Sequence, residues 1–495
     1  MAKALFNFQL LIGETPIDEV KLDIYSRDQL PKFLFGIQAI YNEKKCLNQI
    51  LDLIKRDITT NSSEKNRNKG APAEFTAWEL FVLINLYQNE GYDYDQLADL
   101  ASYHIPLRQI MGLKMIADKP IAKSTLHDNL KLIKSETIQK IMDIVVKFGH
   151  SKLNPKKKLL ETVADTFVYE SNIHFHTDYG SINDGVRCLL RNGAKLAHIL
   201  NLDGFRKKSD IEKKVKRYCR EIGAINRGGR KDKEEAIKIT FTKITKLMFL
   251  VFNKCIEMLL ESENFKGNES ECKKVLKLRE EIKKYLKVTI YESGLAKRRL
   301  LFGETIEASE KIYSIFEQHV EMICKGKVKA PMEFGHRVLV IQDQFGFILT
   351  CKRPEMGLVD EKIITSEILD VKAKHGALRS LSLDKGFWSP ENHEKLSKEV
   401  DVLVLPSKGK AIKYEDQTPE YKKLRRKHSR VESCINALES GNNLHVCLGK
   451  GLESFDMAIA CAGVARNLHV IGHYLQQKKK KEVIHQKEYL KILCG

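Results

Sequence analysis

The chain has 495 residues, 43% apolar and 30% charged, a balance that suits a folded globular protein of two or three domains and excludes a disordered one. Lys and Arg number 84 against 65 Asp and Glu, a formal net charge of +19, and such an excess favours a polyanionic partner, nucleic acid ahead of acidic lipid. No apolar run approaches the roughly 18 residues of a membrane span, and no secretory leader pattern opens the chain.

Within residues 1–58, Leu30, Phe33, Leu34, Ile37, Ile40 and Tyr41 recur at helical spacing. Thr59 to Ala73 is polar and reads as a linker near 59–75. Thr76 and Glu79 make a capping box ahead of the apolar run Trp78 to Leu86, and Gly91 stops that helix. Two more helical segments, Tyr94 to Ser102 and Ser124 to Ile141, complete an expected all-α, helix-turn-helix-like domain over 1–150. The same segments suit a purely structural bundle, and no recognition helix stands out.

At Leu159 the pattern changes. Residues 159–168 are β-branched and apolar, as in a buried strand. Asp184 to Met322 is helical and Lys/Glu-rich, with a turn signal at Arg227-Gly228-Gly229. Strands follow at Arg337 to Gln342 and Phe345 to Cys351, joined by Asp343-Gln344 as a hairpin candidate. A helix from Asp360 to Lys374 ends at Gly376. Leu378 to Leu383 is a strand closing on Asp384, Ser389-Pro390 caps a helix, and Asp401 to Leu405 is a strand stopped by Pro406. The remainder is helical, with an apolar run Phe455 to Leu468 and a basic tail at Lys478 to Lys481.

This order predicts an α/β RNase H-like core, a mixed five-stranded sheet with helices, interrupted after its first strand by a long helical insertion. The core would comprise 151–183 and 331–475, the insertion 184–330 and the C-terminal tail 476–495. The 11 scattered cysteines include no C-x-x-C pair, so structural zinc is not expected and reduced thiols in the cytosol are.

Three acids occupy positions in this order where a metal site is expected: Asp165 within the first strand, Asp384 at the end of the fourth, and Glu432 on the helix after the fifth. Mg²⁺ takes oxygen ligands and leaves room for phosphate and water, and two such ions can drive in-line phosphoryl displacement. An Asp inside an apolar strand is costly to bury unless paired or metal-bound, which singles out Asp165. Each acid, taken alone, also suits a cap, a turn or a salt bridge.

Several ordered motifs resemble those of bacterial insertion-sequence DDE transposases, most of all the branch labelled "not classified yet" (ISNCY). The first is Val163-Ala164-Asp165-Thr166, continued by Asn172-Ile173-His174, Thr177-Asp178 and Asp184-Gly185-Val186-Arg187. Next come Pro331 to His336, Asp384-Lys385-Gly386-Phe387, Pro406 to Lys410, and His428 to Glu439 around Glu432. The likeness spans roughly residues 70–475 and is loosest in the insertion. Phe167, Arg430 and Cys434 depart from it, and Arg425, His428 and Glu439 stand at offsets where related enzymes often carry Tyr, Arg and Lys.

The resemblance implies a DNA transposase in which Asp165, Asp384 and Glu432 are catalytic and hold two Mg²⁺ ions, with Mn²⁺ able to substitute. It further implies double-stranded DNA partners (element ends and target), a homodimer on DNA, no membrane association, and a bacterial cytoplasmic setting at the nucleoid. Alternatives are a non-catalytic DNA-binding protein descended from a transposase and a metal-dependent nuclease without strand transfer. Candidate DNA contacts are Lys408, Lys410, Lys422, Lys423, Arg425, Arg426, Lys427, His428 and Arg430 near Glu432, and Arg206, Lys207, Lys208, Lys213 and Lys214 in the insertion. His174 and His176 suit hydrogen-bonding roles better than zinc, and Trp388 could stack on a base or line the core.

Overall fold

Long β-branched runs and helices with a single apolar stripe sort the chain into a sheet and the layers that cover it. The computed structural model describes residues 15–61, 75–89, 91–229, 231–324, 332–408 and 418–494. Most of the expected linker, together with Pro331 and Lys410, lies outside these residues. The described residues form two compact units, one drawn from Met1–Glu170 and Gly335–Gly495, the other from Ser171–Phe334.

Among the described residues the N-terminal part of the first unit has seven α-helices: α1 (Gln29–Asn42), α2 (Lys44–Asn61), α3 (Ala77–Asn89), α4 (Tyr94–Tyr103), α5 (Ile105–Ile110), α6 (Lys123–Leu130) and α7 (Ser135–Leu153). The capping box forms: Glu79 N donates to Thr76 Oγ1 at 3.2 Å and Thr76 N to Glu79 Oε2 at 3.1 Å. The expected single helix from Ser124 to Ile141 is instead α6 and α7. The chain turns between them where Lys134 N donates to Asp57 Oδ2 at 2.8 Å, a tie to α2 that local periodicity does not reveal. The boundary expected at residue 150 falls inside α7, whose buried face joins the same apolar core as the sheet.

Seven strands make one mixed sheet: β1 (Leu160–Ser171), β2 (Glu321–Cys324), β3 (Met332–Gln342), β4 (Ile348–Lys352), β5 (Leu378–Leu383), β6 (Val400–Val404) and β7 (Val446–Cys447). β1 is antiparallel to β3 and parallel to β5, β4 pairs antiparallel with β3, and β6 runs parallel to β5. The short β2 and β7, which pair with β3 and β1, add to the five strands expected. Around the sheet lie α12 (Asp360–His375), α13 (Pro390–Ser397), α14 (Pro419–Lys427), α15 (Ser429–Gly441) and α16 (Leu452–Cys494). The basic tail expected from residue 476 is a continuation of α16, as its strong helix formers allow.

α16 packs along α1, and two glycines bring the helices together. A Cβ on Gly472 would run into the carbonyl of Lys32, and one on Gly36 into that of Leu468. Gly472→Ala should therefore lower stability by about 2 kcal/mol through overpacking. A urea midpoint equal to wild type would show that this approach is not tight.

The second unit has its own core, built by α8 (Asp178–Ile199), α9 (Lys208–Arg227), α10 (Lys233–Glu261) and α11 (Glu269–Phe302). Among the described residues no helix is long and apolar enough to cross a membrane, and the ten cysteines whose side chains are described are free.

Candidate active site

The parallel register of β1 and β5 pairs Val163 with Ser382 and Ala164 with Leu383. One residue further along each chain come Asp165, still inside β1, and Asp384, just past the end of β5, near enough for the Asp384 charge to act on Asp165. β5 ends at Leu383, which leaves Asp384 at a strand's carboxyl end, half-exposed. Glu432 occupies the first turn of α15, exposed, with no hydrogen bond or ion pair among the described residues.

The three carboxylates feel one another. Burial pushes the Asp165 carboxyl up to about 6, and the charges of Asp384, Asp360 and Glu432 add to the rise against the hydrogen bond that Thr166 N donates to Asp165 Oδ1 at 2.7 Å. Asp360, the first residue of α12, is a fourth acid at this site. Thr166 Oγ1 donates to Asp360 Oδ1 at 3.2 Å, Arg337 Nε lies 3.8 Å from the same oxygen, and Asp360 Oδ2 faces Gly386.

Among the described residues no three His, Cys, Asp or Glu side chains are drawn together tightly enough to close on an ion as they stand. The chemistry of the donors nonetheless suits a hard divalent cation. All are carboxylates, and their mutual repulsion, registered at Asp165, is what such a cation relieves. Among the described residues the cation bonded to the trio is Arg425, whose Nη2 lies 3.4 Å from Asp384 Oδ1 while Nη1 donates to Leu383 O at 3.0 Å.

The basic residues of α14 and α15 divide into two groups. Lys422, Lys423 and Arg426 are exposed, and their side chains have no partner among the described residues. Arg425, Lys427 and Arg430 face inward: Lys427 Nζ donates to Glu161 Oε2 at 2.6 Å and Arg430 Nε to Lys427 O at 3.3 Å. His428 is buried against Ser382 Oγ at 3.2 Å, and burial, with the Arg425 charge, holds its ring below the ordinary range. It therefore lies beneath the site. Lys408 pairs with Glu361. Trp388 packs against the core, with its indole N–H buried and without a hydrogen-bond partner among the described residues.

In the second unit, Lys207, Lys208 and Lys213 are exposed, while Arg206 pairs with Asp203 at 2.9 Å and Lys214 with Asp210 at 2.9 Å. His174 Nε2 meets Asp184 Oδ2 at 2.6 Å, and His176 Nδ1 meets Ser181 Oγ at 3.3 Å, hydrogen-bonding roles for both.

Asp360 is the residue that sequence reasoning missed. An acid at the first position of a helix is explained by the helix dipole, so nothing local marks it as part of a site. Asp360→Asn should weaken divalent-cation binding about tenfold, the scale of an outer carboxylate that positions a ligand. Calorimetric titration with Mn²⁺ checks this, and unchanged affinity would assign Asp360 to the helix terminus alone. No protein-family model, curated protein or solved structure matches the chain.

Proposed function

We propose that the chain is a DDE-type DNA transposase with an RNase H-like catalytic core that cleaves the ends of an insertion sequence and joins them to target DNA. The observation that carries this reading is the convergence of Asp165 in β1 with Asp384 just past the parallel β5, with Glu432 close enough to raise the Asp165 carboxyl. The sheet order β4-β3-β1-β5-β6 also supports it, with β3 alone of β1's two long neighbours running antiparallel. So does the ordered motif set.

Bound by Asp165, Asp384 and Glu432, two Mg²⁺ ions would supply the Lewis acidity for in-line displacement at a phosphodiester, Mn²⁺ serving in their place. The Thr166 amide fixes the Asp165 carboxylate by one oxygen and leaves Oδ2 for a ligand. Arg425 anchors Asp384 to the last carbonyl of β5, and Arg337 with Thr166 orients Asp360. Lys422, Lys423 and Arg426 take DNA phosphates, each adding about 0.9 to the salt slope of binding. Water hydrolyses the end phosphodiester to a 3′ hydroxyl and a 5′ phosphate, and that hydroxyl displaces a 3′ oxygen in the target strand. No protein nucleophile takes part. The reduced cysteines and net positive charge suit work at the nucleoid in a bacterial cytoplasm.

The test is a labelled duplex carrying the DNA that flanks the gene, incubated with protein in Mg²⁺ or EDTA, then with target plasmid. Metal-dependent nicks bearing 3′ hydroxyls and joined products are expected. Nicking without joining supports a nuclease, and binding without nicking a DNA-binding protein.

A further inference from the structure

A surface helix ordinarily shows one apolar stripe to its core and a polar face to water. α10 has two apolar faces. Ile237, Phe241, Ile244, Met248, Val251, Phe252, Cys255 and Met258 are buried in the second unit. Away from this core Ile239, Phe249, Leu250, Ile256 and Leu260 are 42 to 62% exposed, apolar side chains of the kind that gather at an interaction surface.

The charges on this outer face are ordered. Lys243 and Lys246 precede the apolar centre, and Glu257 and Glu261 follow it, all exposed. Lys246, Glu257 and Glu261 form no ion pair among the described residues, and Lys243 leans on the Tyr218 ring. Lys243 and Glu261, Lys246 and Glu257, and Phe249 and Ile256 each straddle position 252 nearly symmetrically. A two-fold axis crossing the helix there lays a second α10 antiparallel on the first. Lys246 then meets the partner's Glu257, Lys243 the partner's Glu261, and Phe249 the partner's Ile256. Glu234 and Glu235, of the wrong sign for this pattern, fall beyond the end of the paired helix. From Ile239 to Leu260 the face is about 30 Å long.

We infer that the outer face of α10 is a homodimer interface in which two copies of this chain pair antiparallel through the insertion. The self-complementary order of charge about an apolar centre selects a second copy over an unrelated partner, since an isologous contact requires that symmetry. The pairing is independent of the chemistry proposed for the carboxylates.

Sedimentation velocity of the full chain without DNA, from about 1 to 100 μM, tests this. Wild type should associate reversibly to a dimer, and Phe249→Glu should raise the dissociation constant about a hundredfold or more, with an unchanged circular dichroism spectrum because the residue is exposed. Lys246→Glu alone and Glu257→Lys alone should each weaken the dimer about tenfold, and the double variant should restore it. A chain that stays monomeric throughout, a dimer indifferent to Phe249→Glu, or a double variant no better than the singles would overturn the inference.

Discussion

Asp384→Asn is expected to lower metal-dependent nicking of the end duplex about a thousandfold, while Asp401→Asn leaves it unchanged. The factor corresponds to about 4 kcal/mol of transition-state charge stabilisation, the scale on which a cation ligand acts. Asn keeps the shape of Asp384 and still accepts from Arg425, so the end of β5 should hold its geometry. What is removed is one negative charge that acts on Asp165. Asp401 is exposed on β6 and serves as the control for a lost surface carboxylate. Equal melting temperatures of the variants, with DNA affinity preserved, separate loss of chemistry from loss of fold. Cleavage by Asp384→Asn at the wild-type rate would remove Asp384 from the site and with it the proposed reaction.

Asp165→Asn should do the opposite to stability. A carboxyl held near 6, against an ordinary 3.8, is disfavoured in its ionised form by burial and by three acidic neighbours. The sign follows from proton linkage. With the folded value raised, this group's contribution is fully present below about pH 4 and is lost as the pH rises through 6. At pH 8 the ionised group then costs the folded state about 3 kcal/mol. In metal-free buffer at pH 8 the variant should melt several degrees above wild type, and the gap should close towards pH 4. Mg²⁺ should raise the wild-type melting temperature and leave the variant's nearly unmoved. A variant that melts below wild type at pH 8, or one stabilised equally by Mg²⁺, would show that Asp165 is not under charge strain.

Much of this arrangement can be read from the residues themselves. β5 stands where the alternation of Leu and Ser over 378–383 places it, with Asp384 just past its end, and Ser389 caps α13 as expected, accepting from Asn392 N at 3.1 Å. β1 was legible for the same reason, although it continues three residues beyond the apolar run. The failures share a cause: the deciding partner is remote in sequence. The turn between α6 and α7 depends on Asp57, the burial of His428 on Ser382, and the role of Asp360 on Thr166, 194 residues earlier. The two-residue β7 has too little pattern to register, and it exists because β1 outruns β5 and leaves the amide of Glu170 to bond His445 O at 3.2 Å. A run of lysines at 478–481 looks like a solvated tail, yet lysine is a good helix former and α16 carries it onward.

The course of the chain through its two units bears on how the protein is made. The second unit is one uninterrupted segment, Ser171–Phe334, with its own core, so it can close as soon as it leaves the ribosome. The first unit is split around it, and α1 waits for α16, whose contacting residues Leu468 and Gly472 are synthesised more than 400 residues after it. The carboxylate trio is likewise incomplete until Glu432 has emerged. Newly made protein therefore acquires the surface of its second unit well before its carboxylate trio. A stop codon just before α16 leaves α1 without its partner, although the whole acidic site has by then been translated.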